Sequence, residues 1–175
     1  PVNIPQIETG ILTEVLRLPY GFEIVSLLTR WNPLNTRRPY PLRYKRDVFE
    51  SGFWRSALES DGALVIVENA SGTIVGSSRF YEWDPVRREV AIGFTFLVRS
   101  HWGGKTNREV KRLMLEHAFR QAAVVWFHIG SNNVRSRKAI EKIGGVFSHE
   151  EAKEIHGTNK LHAFYRIDGA GRSDP

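Results

Sequence analysis

The feature that most constrains this chain is a change of period across one glycine-rich turn. Over residues 89–98 the side chains alternate: Val90, Ile92, Phe94, Phe96 and Val98 on one side, Glu89, Ala91, Gly93, Thr95 and Leu97 on the other. That is the pattern of a strand. Over residues 106–123 the period lengthens, and Val110, Leu113, Met114, His117 and Ala118 share one stripe of a helix. Gly103 and Gly104 lie between them. Such a turn brings the unbonded amides of the helix's first turn beside the end of the strand, and glycines let a ligand approach that backbone. A phosphate or pyrophosphate is one natural occupant; an ordinary tight turn opening a helix is the other reading, and the segment alone leaves both open. Thr106 and Glu109 also have the T-x-x-E spacing of a capping box.

Around this segment the chain reads as alternating strands and helices. Residues 14–18 form a short strand stopped by Pro19, and 21–31 carry Phe22, Val25, Leu27 and Leu28 at helical spacing. Residues 33–46 read as a loop, and 47–58 as a second amphipathic helix. Strands at 63–68 and 73–82 join through Asn69-Ala70-Ser71-Gly72, and with 89–98 they make an antiparallel meander, given the short connections. A buried strand at 124–129 follows, then a helix at 133–143 stopped by Gly144-Gly145, and strands at 146–148 and 161–167. The predicted order is β-α-α-β-β-β-α-β-α-β-β. It implies an α/β fold with a mixed, mostly antiparallel sheet and helices on both faces, one domain over residues 1–168 and a flexible tail at 169–175.

Composition narrows the chemistry. There is no cysteine among the 175 residues, which removes thiolate nucleophiles, disulfides and Cys-bound zinc; no metal site is expected. No apolar run approaches the roughly 20 residues of a membrane span, and the first residues lack the pattern of a secretory signal, so a cytoplasmic protein without a membrane partner is expected. The net charge of +6 favours an anionic ligand of unspecified kind. Gly104-Lys105-Thr106 ends like a nucleotide-binding P-loop, but that motif needs a glycine where Arg99 stands. The basic, tyrosine-bearing run Arg37-Arg38-Pro39-Tyr40-Pro41-Leu42-Arg43-Tyr44-Lys45-Arg46 could grip RNA or an acidic peptide. A solvated loop at a cleft mouth is the favoured reading, and a nucleic-acid partner is not expected.

Three segments together resemble the GNAT superfamily of N-acetyltransferases. The strand, glycine turn and helix are similar to that family's acetyl-CoA motif, (Arg/Gln)-x-x-Gly-x-(Gly/Ala), which falls on His101, Gly104 and Thr106; only the central glycine matches. Asn133-Val134-Arg135-Ser136, continued by Ala139-Ile140-Glu141-Lys142-Ile143-Gly144, resembles the family's N-x-x-S-x-x-x-x-E-K-L-G-F segment, with Gly145 in place of Phe. Ile92-Gly93-Phe94 resembles the Ile-Gly-Tyr of the strand before the cofactor turn. The flavour is that of the Rim-type branch, which acetylates protein N-terminal amines and includes enzymes for small amines.

The resemblance implies direct attack of a primary amine on the thioester of acetyl-CoA in a ternary complex. It implies that backbone groups of Leu97, Val98 and Arg99 hold the pantetheine arm, with one amide facing the thioester carbonyl. The amides of Trp102, Gly103, Gly104, Lys105, Thr106 and Asn107 would hold the pyrophosphate, and Asn133 would orient the pantetheine with Ser136 near the thiol. A base must deprotonate an amine of pKa about 8 for an N-terminus or about 10.4 for lysine. Glu89, which starts the strand leading to the turn, is the first candidate, against a solvated charge beside Arg87 and Arg88. His128 is the second, against a core histidine. His101 would touch phosphate or cap the turn. Where relatives place a general-acid tyrosine this chain has Ile140, which leaves Ser136, Tyr165 or water. The alternative function is a module that binds acyl-CoA without catalysis.

Overall fold

The computed structural model describes residues 16–17, 22–26, 55–60, 62–155 and 158–169. Eight strands form one sheet in the order β1-β2-β3-β4-β5-β6-β8-β7. They are β1 (Leu16–Arg17), β2 (Phe22–Ser26), β3 (Ala63–Glu68), β4 (Thr73–Asp84), β5 (Glu89–Leu97), β6 (Val124–Gly130), β7 (Val146–Ile155) and β8 (Thr158–Asp168). The helices are α1 (Arg55–Glu59), α2 (Thr106–Ala118) and α3 (Val134–Glu141). Every neighbouring pair is antiparallel except β5 and β6. The exception follows from connectivity: α2 carries the chain over the sheet between them, and only such a crossover can join parallel neighbours. The β4–β5 turn is set by Asp84, whose Oδ1 accepts the amides of Val86 and Arg87 at 2.9 and 3.0 Å.

The mixed, mostly antiparallel α/β sheet is as expected, but four local readings change. Residues 22–26 are not helical: they pair with β3, Ile24 opposite Ile66 and Val25 opposite Val65. Ile and Val suit a pleated surface, and a waiting sheet edge outweighs a short helical pattern. Of the helix expected at 47–58, Arg55 to Leu58 lie in α1; the preceding residues, like the basic run 37–46, lie outside the described set. Helix α2 ends at Ala118 rather than Ala123, and β7 and β8 are long partners, not the short strands expected at 146–148 and 161–167. β7 hides because Glu150, Glu151, Lys153 and Glu154 leave it no apolar alternation, a common property of an edge strand.

The main core lies on one face, where α2 and α3 cover the sheet. Val110 and Met114 of α2, Ile140 of α3, Ile92 of β5, Phe127 of β6 and Tyr165 of β8 are all buried in it. On the other face Ala57 of α1 packs on Ala63, Val65 and Val67. Among the described residues no helix is long and apolar enough to cross a membrane.

Candidate active site

The site begins where β5 and β6 part. They share three rungs, Glu89–Val124, Val90–Val125 and Ala91–Trp126, and none beyond. β5 then stays with β4 as far as Leu97–Gly76, and β6 with β8 as far as Gly130–His162. A bulge accompanies the parting: three residue steps of β5, from Gly93 to Phe96, oppose two of β4, from Arg79 to Ser77. Phe94 sits there at φ 51°, a left-handed conformation that is costly for a bulky side chain and gathers at functional sites. Its ring is held under the Arg79 guanidinium at 4.2 Å and edge-on to Tyr81 at 5.2 Å.

The bulge overturns the uniform alternation expected for this strand. Leu97, not Phe96, joins Val90 and Ile92 in the main core, and Thr95 turns toward α2 to meet Ser78 at 2.7 Å.

At the mouth of the cleft, a 3-10 turn at Arg99–His101 and Gly103, at φ +72°, lead into α2. The left-handed φ explains the first glycine. The cap residue is Lys105, with no side-chain cap bond. The expected Thr106–Glu109 capping box is therefore absent: Thr106 is already the first helical residue, and its hydroxyl meets His101 Nδ1 at 3.2 Å. That contact ties the turn to the start of α2. Glu109 N–H donates to Lys105 C=O at 3.0 Å, so the amides of residues 106–108 have no carbonyl one helical turn back to bond; Trp102 N–H, expected to face the pyrophosphate, instead donates to Arg99 C=O at 3.1 Å. A Cβ at Gly103 or Gly104 would meet nothing within 4 Å. Trp102 anchors the turn by donating its indole N–H to Leu97 C=O at 2.7 Å, and Arg99 and Arg135 lie over its ring at 5.8 and 4.9 Å.

Open amides, open space and two exposed guanidinium groups fit the phosphates of a CoA. Arg135 was not singled out by the sequence reading; only the fold brings the start of α3 to Trp102. Val98 N–H, in contrast, already donates to Val75 C=O at 2.8 Å. Asn133 caps α3, its Oδ1 accepting from the backbone N–H of Ser136 at 3.2 Å, so the asparagine of the N-x-x-S segment has a local structural cause, while the serine side chain takes no part in the cap. The Asn133 backbone N–H donates to Gly130 C=O at 2.7 Å, and Ser136 is half-buried in the first turn of the helix.

On the face opposite α2 lies a cavity of about 450 Å³ whose walls include Glu82, Trp83, Glu89, Trp126, His128 and Glu151. It brings together both base candidates. Glu89 Oε2 accepts from Trp126 Nε1 at 3.0 Å. His128 Nδ1 lies 3.1 Å from the Tyr81 hydroxyl and 2.9 Å from Lys153 Nζ. Burial, then the charges of Lys153, His162 and His149, push His128 down to about 3. It is uncharged at neutral pH, so its 3.6 Å approach to Glu82 is not an ion pair. Burial raises the Tyr81 phenol, which stays protonated and donates. With its Nδ1 lone pair engaged, His128 is a weak base.

The acid candidates divide as well. The Tyr165 hydroxyl gives its hydrogen to Glu141 Oε1 at 2.8 Å and accepts from Arg137 Nε at 2.9 Å, a structural tie between β8 and α3. Ile140 is buried, and a Cβ on Gly145 would lie 2.3 Å from Ile140 Cγ2. That Cβ would also lie 3.0 Å from the Ile140 carbonyl oxygen, so the glycine at 145 fits the close approach of residue 140. One group escaped the sequence reading: Lys111 of α2 is only 3% exposed and bonds Thr95 and Ser78 where the strands part.

A parallel strand pair that parts beside a bulge, with a helix N-terminus at the mouth, defines an acetyltransferase fold. Residues 20–146 match the family model described as "Acetyltransferase (GNAT) domain", and the chain belongs to that family. A GCN5-related N-acetyltransferase from Brucella melitensis superposes with a TM-score of 0.68 at 17% identity, covering 86% of this chain and 77% of that one. A dodecameric spermidine N-acetyltransferase from Vibrio cholerae gives 0.56 at 17% identity, covering 73% and 78%. At these identities the likeness is one of fold. An uncharacterized protein of Rickettsia prowazekii (strain Madrid E) is 68% identical over 41 residues, 23% of this chain; the match spans 6% of that relative's length.

Proposed function

We propose that this acetyltransferase moves the acetyl group of acetyl-CoA to a primary amine by direct attack. The observation that carries the reading is the two-sided cleft. The strands part next to open helix-terminal amides and two guanidinium groups on one side, and next to a carboxylate- and indole-lined cavity on the other. Acetyl-CoA, when bound, supplies an activated thioester. The residues of the turn bind its phosphates, and the cleft holds the amine and the acetyl carbon close together, which is the larger part of such catalysis. Glu89 takes a proton from the amine. Glu89 and Glu151 attract a cationic amine, Glu82 being paired with Lys153, and Trp83 and Trp126 supply faces for it to lie against. A small polyamine or a protein N-terminus of the Rim type meets those requirements, in a cytoplasmic setting.

A panel of amines assayed by CoA thiol release tests the reading directly. Transfer to at least one cationic amine is expected. Tight acetyl-CoA binding with no transfer to any member would instead establish a non-catalytic acyl-CoA-binding module.

A further inference from the structure

Lys111 is a buried amine with no carboxylate beside it among the described residues. It sits on α2 with its Nζ 2.5 Å from Thr95 Oγ1, 3.2 Å from Ser78 Oγ and 5.7 Å from the centre of the Phe127 ring. Thr95 belongs to the bulge of β5, and Phe127 is the first residue of β6 past the last shared rung. The amine therefore lies at the fork of the cleft, on the helix-covered face. Both hydroxyls lie within reach of Gly93 C=O, at 3.3 and 3.5 Å. An ammonium has three hydrogens, and among the described residues only these two acceptors take them. Nor does any of the described acidic side chains form an ion pair with it. An isolated buried charge is costly; here burial alone brings the amine down to about 7, with no neighbouring charge contributing. Near neutral pH such a group exchanges a proton readily.

We infer that Lys111 is the proton donor to the leaving thiol, the role for which this chain lacks the family's tyrosine. The inference rests on the acetyl-transfer reading above. As the amine nitrogen bonds to the acetyl carbon, the carbon–sulfur bond breaks and its electron pair leaves with sulfur. Lys111 gives one ammonium proton to that sulfur, and Lys111 is left neutral. The proton shed by the substrate amine goes to Glu89 and then to water, and water reloads Lys111. Thr95 and Ser78 aim the amine, and the bulge is the device that turns Thr95 toward it.

The test joins a spectroscopic readout to kinetics. In protein labelled with ¹³C at lysine Cε, the resonance missing from Lys111→Met is that of Lys111. It should titrate far below the ordinary lysine range, and its midpoint should rise when CoA with its free thiol is bound. Lys111→Met should slow acetyl transfer about 100-fold, within the usual span for acid–base assistance, and keep the acetyl-CoA-induced rise in melting temperature. Lys111→Arg keeps the charge and donors but releases no proton at neutral pH, so it should be equally slow. The deficit of both variants should shrink with an acetyl thioester of an acidic thiophenol, compared with that of N-acetylcysteamine. A Lys111 resonance unmoved by CoA that does raise the melting temperature would overturn the inference. So would recovery in Lys111→Arg, which would make Lys111 a cation that merely holds the bulge. No transfer and no melting shift in the unaltered protein would overturn the acetyltransfer reading itself, and this inference with it.

Discussion

The indole of Trp126 donates to Glu89 Oε2 at 3.0 Å, across the rungs that hold β5 to β6 just before they separate. This bond fixes one carboxylate oxygen of a residue that lines the cavity. Glu89→Gln should therefore lower the rate of amine acetylation by roughly 10²–10⁴ at neutral pH, with little change in acetyl-CoA affinity. Raising the pH should restore part of the loss, because more substrate amine arrives unprotonated. Superimposable pH–rate profiles for the variant and the unaltered protein would return Glu89 to a solvated, indole-pinned surface charge.

Gly104 is in the open mouth of the cleft, and a side chain there meets no atom of the protein within 4 Å. Gly104→Glu should fold normally and place bulk and negative charge where the phosphates would lie. The rise in melting temperature caused by acetyl-CoA should disappear, since that rise follows ligand affinity. An undiminished rise would remove the turn from the binding site.

Asn133 caps α3 through its side chain. Asn133→Ala should destabilise the unliganded protein by about 1 kcal/mol, the usual cost of a lost cap. It should also raise the concentration of acetyl-CoA needed for half-maximal rate. Urea unfolding without ligand measures the first effect and initial-rate kinetics the second. A stability loss with unchanged kinetics would leave Asn133 with the structural role alone.

His128 is held far below its ordinary range in the folded protein and regains it on unfolding. The unfolded chain thus binds the extra proton between about 6.5 and about 3. The stability that neutral His128 contributes is complete above 6.5 and lost as pH falls through that window. Urea midpoints measured from pH 7.5 to 4 should fall more steeply for the unaltered protein than for His128→Gln. Parallel falls would mean that the imidazole is not held neutral.

The strands and helices around the glycine turn were legible because their apolar positions are regular and their ends are marked by glycine. The site was less so. Nothing in Gly93-Phe94-Thr95 announces that Phe94 takes a left-handed conformation, yet that one residue reverses the faces of everything up to Leu97. Lys111 stands beside Val110 with no motif to mark it. It lies three residues before Met114 and seven before Ala118, on the same stripe, and that spacing was the available signal. Gly145 reads as a helix stop, but Ile140 Cγ2 gives it a second reason. The strand identity of residues 22–26 depends on β3, which is some forty residues away in sequence, and no local window contains it.

The parting of β5 from β6 divides the sheet into two slabs, five strands and three, laced together at one end by three rungs. Each slab is hydrogen-bonded within itself, and along the rest of the seam there is no ladder. An elongated ligand lying in that seam would stand in for the missing strand-to-strand bonds, acting as mortar between two courses. Filling the site and finishing the sheet would then be one event. In hydrogen exchange, amides on both lips of the seam would slow together when it is filled, including those of β6 that never touch the nucleotide end.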